Sequence, residues 1–206
     1  MKVTYHELGP TEFRALIRPL VGVYAAAMNP PDRTLAGREA IMERHAASPG
    51  FRGLTALVDG QLAAFTYGFH GEHGQWWHDM VAAALATRSR AAAPAAEPAT
   101  PRHWLDDSFE VAELHVLPDC QGHGIGRSLL LSLTSGRRER TAVLSTADAP
   151  TRARRLYRGV GFTDLLTDFR FSGSEPPYAV MGATLPLAAG TPADNADDRP
   201  PRPSSW

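Results

Sequence analysis

A chain of 206 residues with 43% hydrophobic content is long enough to bury one core and short for two typical domains. Its formal net charge of −1, from 21 basic and 22 acidic residues, provides no chain-wide field that would point to nucleic acid or an anionic membrane as partner. The lone Cys120 excludes an intrachain disulfide framework, and neither an apolar leader nor a membrane-length apolar run is present, so a reducing, cytoplasmic setting is expected.

Val3 to Leu8 alternates weakly and reads as a strand. Pro10-Thr11 opens a helix that should run to about Met28, with Pro19 expected to kink or split it, and Leu35 to Ala47 has the pattern of a second, amphipathic helix. Leu54 to Val58, Asp59-Gly60 and Gln61 to Phe69 form a hairpin signal, because Asp-Gly favours the tight turn whose twist matches antiparallel strands. Trp76 to Ala86 fits a short helix, and the Ala, Pro, Ser and Arg content of residues 87–102 predicts a flexible loop. Phe109 to Val116 is an apolar strand and Ser128 to Ser135 a helix. Thr141 to Thr146 is a further strand, Thr151 to Gly159 a helix, and Phe162 to Phe171 and Val180 to Leu185 the last strands. Residues 1–187 thus read as one domain, and 188–206, without apolar periodicity, as a disordered tail.

Between the strand ending at Val116 and the following helix lies Gln121-Gly122-His123-Gly124-Ile125-Gly126-Arg127. A helix start carries unpaired N–H groups and partial positive charge, and glycines let a diphosphate approach the backbone, so this segment has the chemistry of an anion site. A dinucleotide fingerprint would need a glycine where Arg127 stands, and a nucleoside-triphosphate loop would end in Gly-Lys-Ser/Thr; neither spacing is met.

The pattern Gln-x-x-Gly-x-Gly, followed about thirty residues later by Ala153-Arg154-Arg155-Leu156-Tyr157-Arg158-Gly159-Val160-Gly161-Phe162, resembles the two signatures of the GNAT superfamily of acetyl-CoA-dependent N-acyltransferases. The resemblance is sharp from about Phe109 to Phe162 and is one of layout only before that. It implies an α/β fold of α+β type: a mixed, mostly antiparallel central sheet flanked by helices, with splayed central strands forming the acyl-CoA site. It further implies that Leu114, His115 and Val116 offer backbone groups to the pantetheine of acetyl-CoA. Gln121, Gly122, His123, Gly124, Ile125, Gly126 and Arg127 would then hold its pyrophosphate.

Acetyl transfer to a primary amine needs a base, because an ammonium of pKa near 10 cannot attack until it loses a proton. Glu110 and Glu113 are the candidates. Both have counterparts among family members, and a strand bulge would upset any assignment by alternation, so the two stay unresolved at this level. His115 shares the face of Glu113 in a regular strand and is a third candidate. The departing thiolate needs an acid, and the resemblance gives that role to Tyr157. Pro150 departs from the family pattern, standing where many members carry a cofactor-holding asparagine. A non-catalytic acyl-CoA-binding or regulatory module is therefore the alternative reading.

His70, Glu72, His73 and His78 fit no standard zinc spacing, and no metal is expected. Trp76 and Trp77 either pack in the core or close over an acceptor. Cys120 reads as a small packing residue. The expected partners are a small-molecule or peptide amine, with a homodimer left open, and with no nucleic acid and no membrane.

Overall fold

The computed structural model describes residues 1–31, 35–91, 104–171 and 176–188. Seven strands, β1 (Val3–Leu8), β2 (Arg52–Val58), β3 (Gln61–Gly71), β4 (Ser108–Val116), β5 (Thr141–Ala147), β6 (Thr163–Phe169) and β7 (Tyr178–Thr184), form one sheet in the order β1-β2-β3-β4-β5-β7-β6. Among the described residues five helices flank it: α1 (Pro10–Met28), α2 (Arg38–His45), α3 (Trp76–Ala91), α4 (Ile125–Thr134) and α5 (Arg152–Arg158). Every neighbouring pair of strands is antiparallel except β4 with β5. This is the mixed, mostly antiparallel GNAT-like sheet that the resemblance implies.

Alternation along the strands separates the core into two faces. Ala64 and Leu144 pack in the cluster holding Leu129, Leu130, Leu133 and Tyr157 from α4 and α5. Their neighbours point the other way. Phe65 joins Phe13, Ile17, Leu20 and Met42 under α1 and α2, while Val143 joins Val81 and Leu85 under α3.

Four expectations are corrected. Pro19 does not split α1, which runs unbroken from Pro10 to Met28. It sits on the solvent side with Ala15, whose carbonyl loses its helical partner but stays accessible to water, while Phe13, Ile17, Leu20 and Tyr24 hold the opposite face. The second helix begins at Arg38 and not at Leu35, because Gly37 takes a left-handed conformation at its N-cap (φ 83). The segment from Thr87 to Ala91 is helical and not loop: Thr87 and Ser89 hydroxyls donate to the carbonyls of Ala83 and Leu85, and Arg88 donates to the Leu165 carbonyl. The rest of the expected flexible loop, 92–102, and the expected tail, 189–206, lie outside the described residues. Finally, α4 starts at Ile125, three residues before Ser128, since left-handed Gly124 caps it and Ile125 is buried in the core.

Candidate active site

The site is organised by one irregularity in β4. Tyr67 pairs with Glu113 and Gly68 with Val111, leaving Ala112 as an extra residue. In a regular strand Glu110 and Glu113, an odd number apart, would face opposite sides. The bulge cancels that parity, so Glu110 lies across from Phe69, Glu113 across from Tyr67 and His115 across from Phe65, all on the α1/α2 face. Gly68 permits it: a Cβ there would come within 2.3 Å of the Glu110 carbonyl oxygen and 2.6 Å of the Phe109 ring.

The two carboxylates meet different surroundings. Arg38 Nη1 donates to Glu113 Oε1 at 2.7 Å, and Glu113 Oε2 is paired with His115 Nε2. Burial alone would raise the Glu113 pKa, but the His115 hydrogen bond and charge and the Arg38 charge outweigh it and hold the carboxyl below its ordinary range. Glu110 is 6% exposed, and its Oε2 is buried without a hydrogen-bond partner. Burial, and secondarily the Glu113 charge, push its pKa up to about 8. One acid is therefore held ionised and the other stays largely neutral at pH 7, the separation of roles that environment imposes on paired carboxylates.

Two of the groups around Glu113 leave no trace in local sequence patterns. Arg38, from the first turn of α2, also donates to the Tyr24 hydroxyl of α1 at 2.6 Å and lies 4.1 Å over that ring. Tyr24 in turn packs edge-on to His115 at 5.1 Å. Arg38 stands 75 residues from Glu113, so only the folded chain reveals the pair.

Beside this cluster the sheet opens. The ladder between β4 and β5 stops after Ser108↔Thr141, Phe109↔Ala142 and Glu110↔Val143, while β5 continues against β7 as far as Ala147↔Tyr178. The stretch from Val111 to Val116, including Leu114, His115 and Val116, is thus paired on its β3 side and not with β5. Such an edge can take up an extended ligand by backbone hydrogen bonds. It runs directly into the glycine loop. Gln121 Nε2 donates to the Val116 carbonyl at 3.1 Å, Gly122 and Gly124 hold φ of 82° and 79°, and a Cβ at either would meet nothing within 4 Å. The first bond inside α4 is from Ser128 N–H to the Gly124 carbonyl, so the amides of Ile125, Gly126 and Arg127 precede it at the positive end of the helix. His123 is exposed at the rim.

Tyr157 enters from α5, 7% exposed and 5.8 Å ring to ring from Phe162. Burial and then the Glu113 charge push its hydroxyl well above the ordinary phenol range. It therefore keeps its proton at any working pH. Pro150 precedes the helix, whose N-cap is Thr151: the Thr151 hydroxyl accepts from the Arg154 N–H at 3.1 Å. The asparagine role suggested by the resemblance thus has no side-chain counterpart at Pro150.

The remaining candidates lie apart from these groups. Trp77, in the first turn of α3, is partly buried and donates from Nε1 to Ser145 Oγ at 3.2 Å, whereas Trp76 is exposed and rests on Phe171 at 5.3 Å. His70, Glu72, His73 and His78 line a cavity of about 440 Å³ at the opposite end of β4, where His73 pairs with Asp79 at 2.8 Å. Among the described residues, no group of three or more His, Cys, Asp or Glu could hold a metal ion. Cys120 packs at the edge of the α4/α5 core. No helix among the described residues is long and apolar enough to cross a membrane.

A domain family described as Acetyltransferase (GNAT) domain matches residues 91–164, the stretch spanning the bulged strand, the glycine loop and Tyr157. Over 212 aligned residues, 91% of this chain and 100% of the relative, the sequence is 30% identical to a GCN5-like protein acetyltransferase of Mycobacterium tuberculosis. The chain belongs to the GNAT acetyltransferase superfamily. Solved structures agree with this acetyltransferase in fold. The ribosomal-protein-S18-alanine N-acetyltransferase of Escherichia coli superposes with a TM-score of 0.57 at 16% identity, covering 91% of this chain and 96% of that one. The PaiA N-acetyltransferase of Thermoplasma acidophilum, solved in complex with coenzyme A, gives a TM-score of 0.56 at 12% identity, covering 89% and 99%. In this GNAT acetyltransferase the two sequence signatures fall on the helix-capping loop and on α5, on either side of the opening between β4 and β5.

Proposed function

We propose that the enzyme transfers the acetyl group of acetyl-CoA to a primary amine by direct attack within a ternary complex. The observation that carries this reading is the β4 edge that parts from β5 after Glu110 and leads into the left-handed glycines capping α4. An extended pantetheine with a diphosphate at one end matches that combination of strand edge and helix N-terminus.

In this mechanism Glu110 is the base. Its carboxylate, with Oε2 unpartnered and a pKa of about 8, is basic enough to take a proton from the attacking nitrogen, whereas both Glu113 oxygens are already engaged. The nitrogen lone pair forms the new C–N bond and the carbonyl π pair moves to oxygen. When the tetrahedral adduct collapses, the C–S bond breaks with its electron pair on sulfur, the thiolate takes the Tyr157 proton, and the nitrogen gives its remaining extra proton back to the Tyr157 oxygen as the amide forms. The acceptor is a primary amine of a small molecule or protein. The description of the curated relative as a protein acetyltransferase supports screening protein lysines and N-termini first.

The reading is tested by a thermal-shift titration with acetyl-CoA, CoA and ATP, followed by thioester turnover against a panel of amines. A ligand present at about a hundred times its Kd should stabilise the native state by about 2.7 kcal/mol. Stabilisation by both CoA species and not by ATP, with turnover of at least one amine, is the expected result; no response to either CoA species removes the donor site. Tyr157→Phe should lower kcat by about 10- to 100-fold while CoA affinity stays within about twofold. A fully active variant would remove the acid role.

A further inference from the structure

Tyr157 must reach the departing sulfur, yet among the described residues nothing hydrogen-bonds its hydroxyl. Its place is set by ring packing on Phe162 and by where α5 itself sits. That helix has seven residues, too few to be held by its own hydrogen bonds. Its apolar side, Tyr157 with the partly buried Leu156, packs into the core that it shares with α4. Apolar packing is non-directional: it keeps a helix on a sheet but resists sliding and turning less than hydrogen bonds of fixed geometry do.

The directional contacts come from Arg154, one turn before Tyr157 on the same helix. It fills an unspecified position of the Ala-x-x-Leu-Tyr signature, so the resemblance gives it no role. The residue is 8% exposed. Its Nη1 donates to Asp148 Oδ1, in the residue that follows β5, and its Nη2 pairs with Asp164 Oδ2 of β6 at 2.9 Å. A planar guanidinium held on two sides in this way fixes orientation as well as distance. Asp148 is itself anchored. Its N–H donates to the Pro177 carbonyl at 3.0 Å, and its Oδ2 accepts from the Asp168 N–H at 2.6 Å. Asp168 has a left-handed φ of 50° where the register between β6 and β7 shifts, a conformation uncommon outside glycine that its surroundings must hold. The Asp168 N–H and then the Arg154 hydrogen bond keep the Asp148 carboxyl below its ordinary range, so it meets Arg154 as a carboxylate. Since β5 forms the far side of the opening from β4, these contacts join the helix bearing the acid to one wall of the site.

We propose that Arg154 and Asp148 are positioning residues for Tyr157: with Asp164 they clamp α5 against the end of β5, so that the tyrosine hydroxyl meets the departing sulfur. The proposal rests on the acid role given to Tyr157 above. Neither residue touches the reacting atoms. A misplacement of about 1 Å at a reacting group costs on the order of 100-fold in rate, so a loosened helix shows itself in kcat.

The test is a double-mutant cycle on kcat and on the KM for acetyl-CoA, using the amine returned by the turnover screen, with wild type, Arg154→Met, Tyr157→Phe and the double variant. Methionine keeps an unbranched apolar stem and removes the guanidinium. Arg154→Met should lower kcat about 10-fold, and no more than Tyr157→Phe does, while the KM for acetyl-CoA stays within about twofold. On top of Tyr157→Phe the same substitution should change kcat by less than about twofold, because no hydroxyl is left to position. Losses of equal size in the two backgrounds, or an undiminished kcat in Arg154→Met, overturn the proposal and leave Arg154 a support of the fold alone. Asp148→Asn keeps the side-chain volume and removes the charge; it should lose about fivefold in kcat and obey the same cycle, and it decides the matter if Arg154→Met fails to fold. Full activity in Tyr157→Phe would instead remove the acid role itself, a failure seen in that variant before Arg154 is touched.

Discussion

Glu110→Gln should reduce kcat/KM by about 10²- to 10⁴-fold and remove the rise in rate through pH 8, because a general base works only when ionised and Glu110 titrates at about 8. CoA affinity should be unchanged, since the side chain lies on the α1/α2 face and not in the glycine loop. The same substitution has a stability signature with a definite sign. The folded-state pKa is raised above the ordinary carboxylate value of 4.5, so the stability due to the neutral acid is complete below pH 4.5 and is lost as the pH rises through 8. Above pH 8 the wild type carries a buried charge with one unpartnered oxygen, at a penalty on the order of 5 kcal/mol by linkage. Glutamine carries no such charge. The variant should therefore gain on the wild type in melting temperature between pH 5 and pH 9, and a pH-independent difference would mean that Glu110 is ionised throughout. A wild-type pH-rate profile retained in the variant would pass the role of base to another group.

Gly124→Val should lower CoA affinity by about 100-fold or more, measured by titration calorimetry, because a branched side chain would stand where a diphosphate must reach the first amides of α4. Two effects must be separated. Gly124 has φ of 79°, so any side chain there is strained, yet a Cβ would touch nothing in the protein within 4 Å. Gly136 offers the control, with φ of 70°, open space around its Cβ and a place beyond the far end of α4. Alanine at Gly136 and alanine at Gly124 should each cost about 1 kcal/mol or somewhat more through backbone strain. Only the substitution at Gly124 should weaken CoA binding. Equal affinities for the two alanine variants and the wild type, together with undiminished binding by Gly124→Val, would reduce the glycines to turn formers and take the pyrophosphate away from this loop.

Much of this site was legible in the linear chain, for a physical reason. The glycine loop, Tyr157 and the strand acids lie in contiguous segments, and the loop's chemistry depends on local features: a helix start, left-handed glycines, a fixed spacing after a strand. Segments with strong periodicity or turn chemistry, such as α1, the Asp59-Gly60 hairpin and α5, were readable for the same reason. Element ends were less so. The extension of α3 through residues 87–91 depends on Arg88 reaching the Leu165 carbonyl, and the start of α4 on the burial of Ile125, both of which are tertiary contacts.

What only the tertiary structure decided is how the carboxylates differ. Glu110 and Glu113 are the same residue type on one strand, and nothing in their neighbours along the chain tells which is neutral. The distinction comes from Arg38, 75 residues away, pairing with one of them, from the absence of any partner for the other's Oε2, and from the Ala112 bulge that brings both to one face. The spacing of the glycines and of the Tyr157 segment carried the resemblance that pointed to an acetyltransferase-type loop and to Tyr157 as its candidate acid. Long-range packing determined the protonation states on which the chemistry turns, because a pKa is set by the groups and the dielectric surrounding a side chain in space, and those come from parts of the chain that sequence proximity does not reveal.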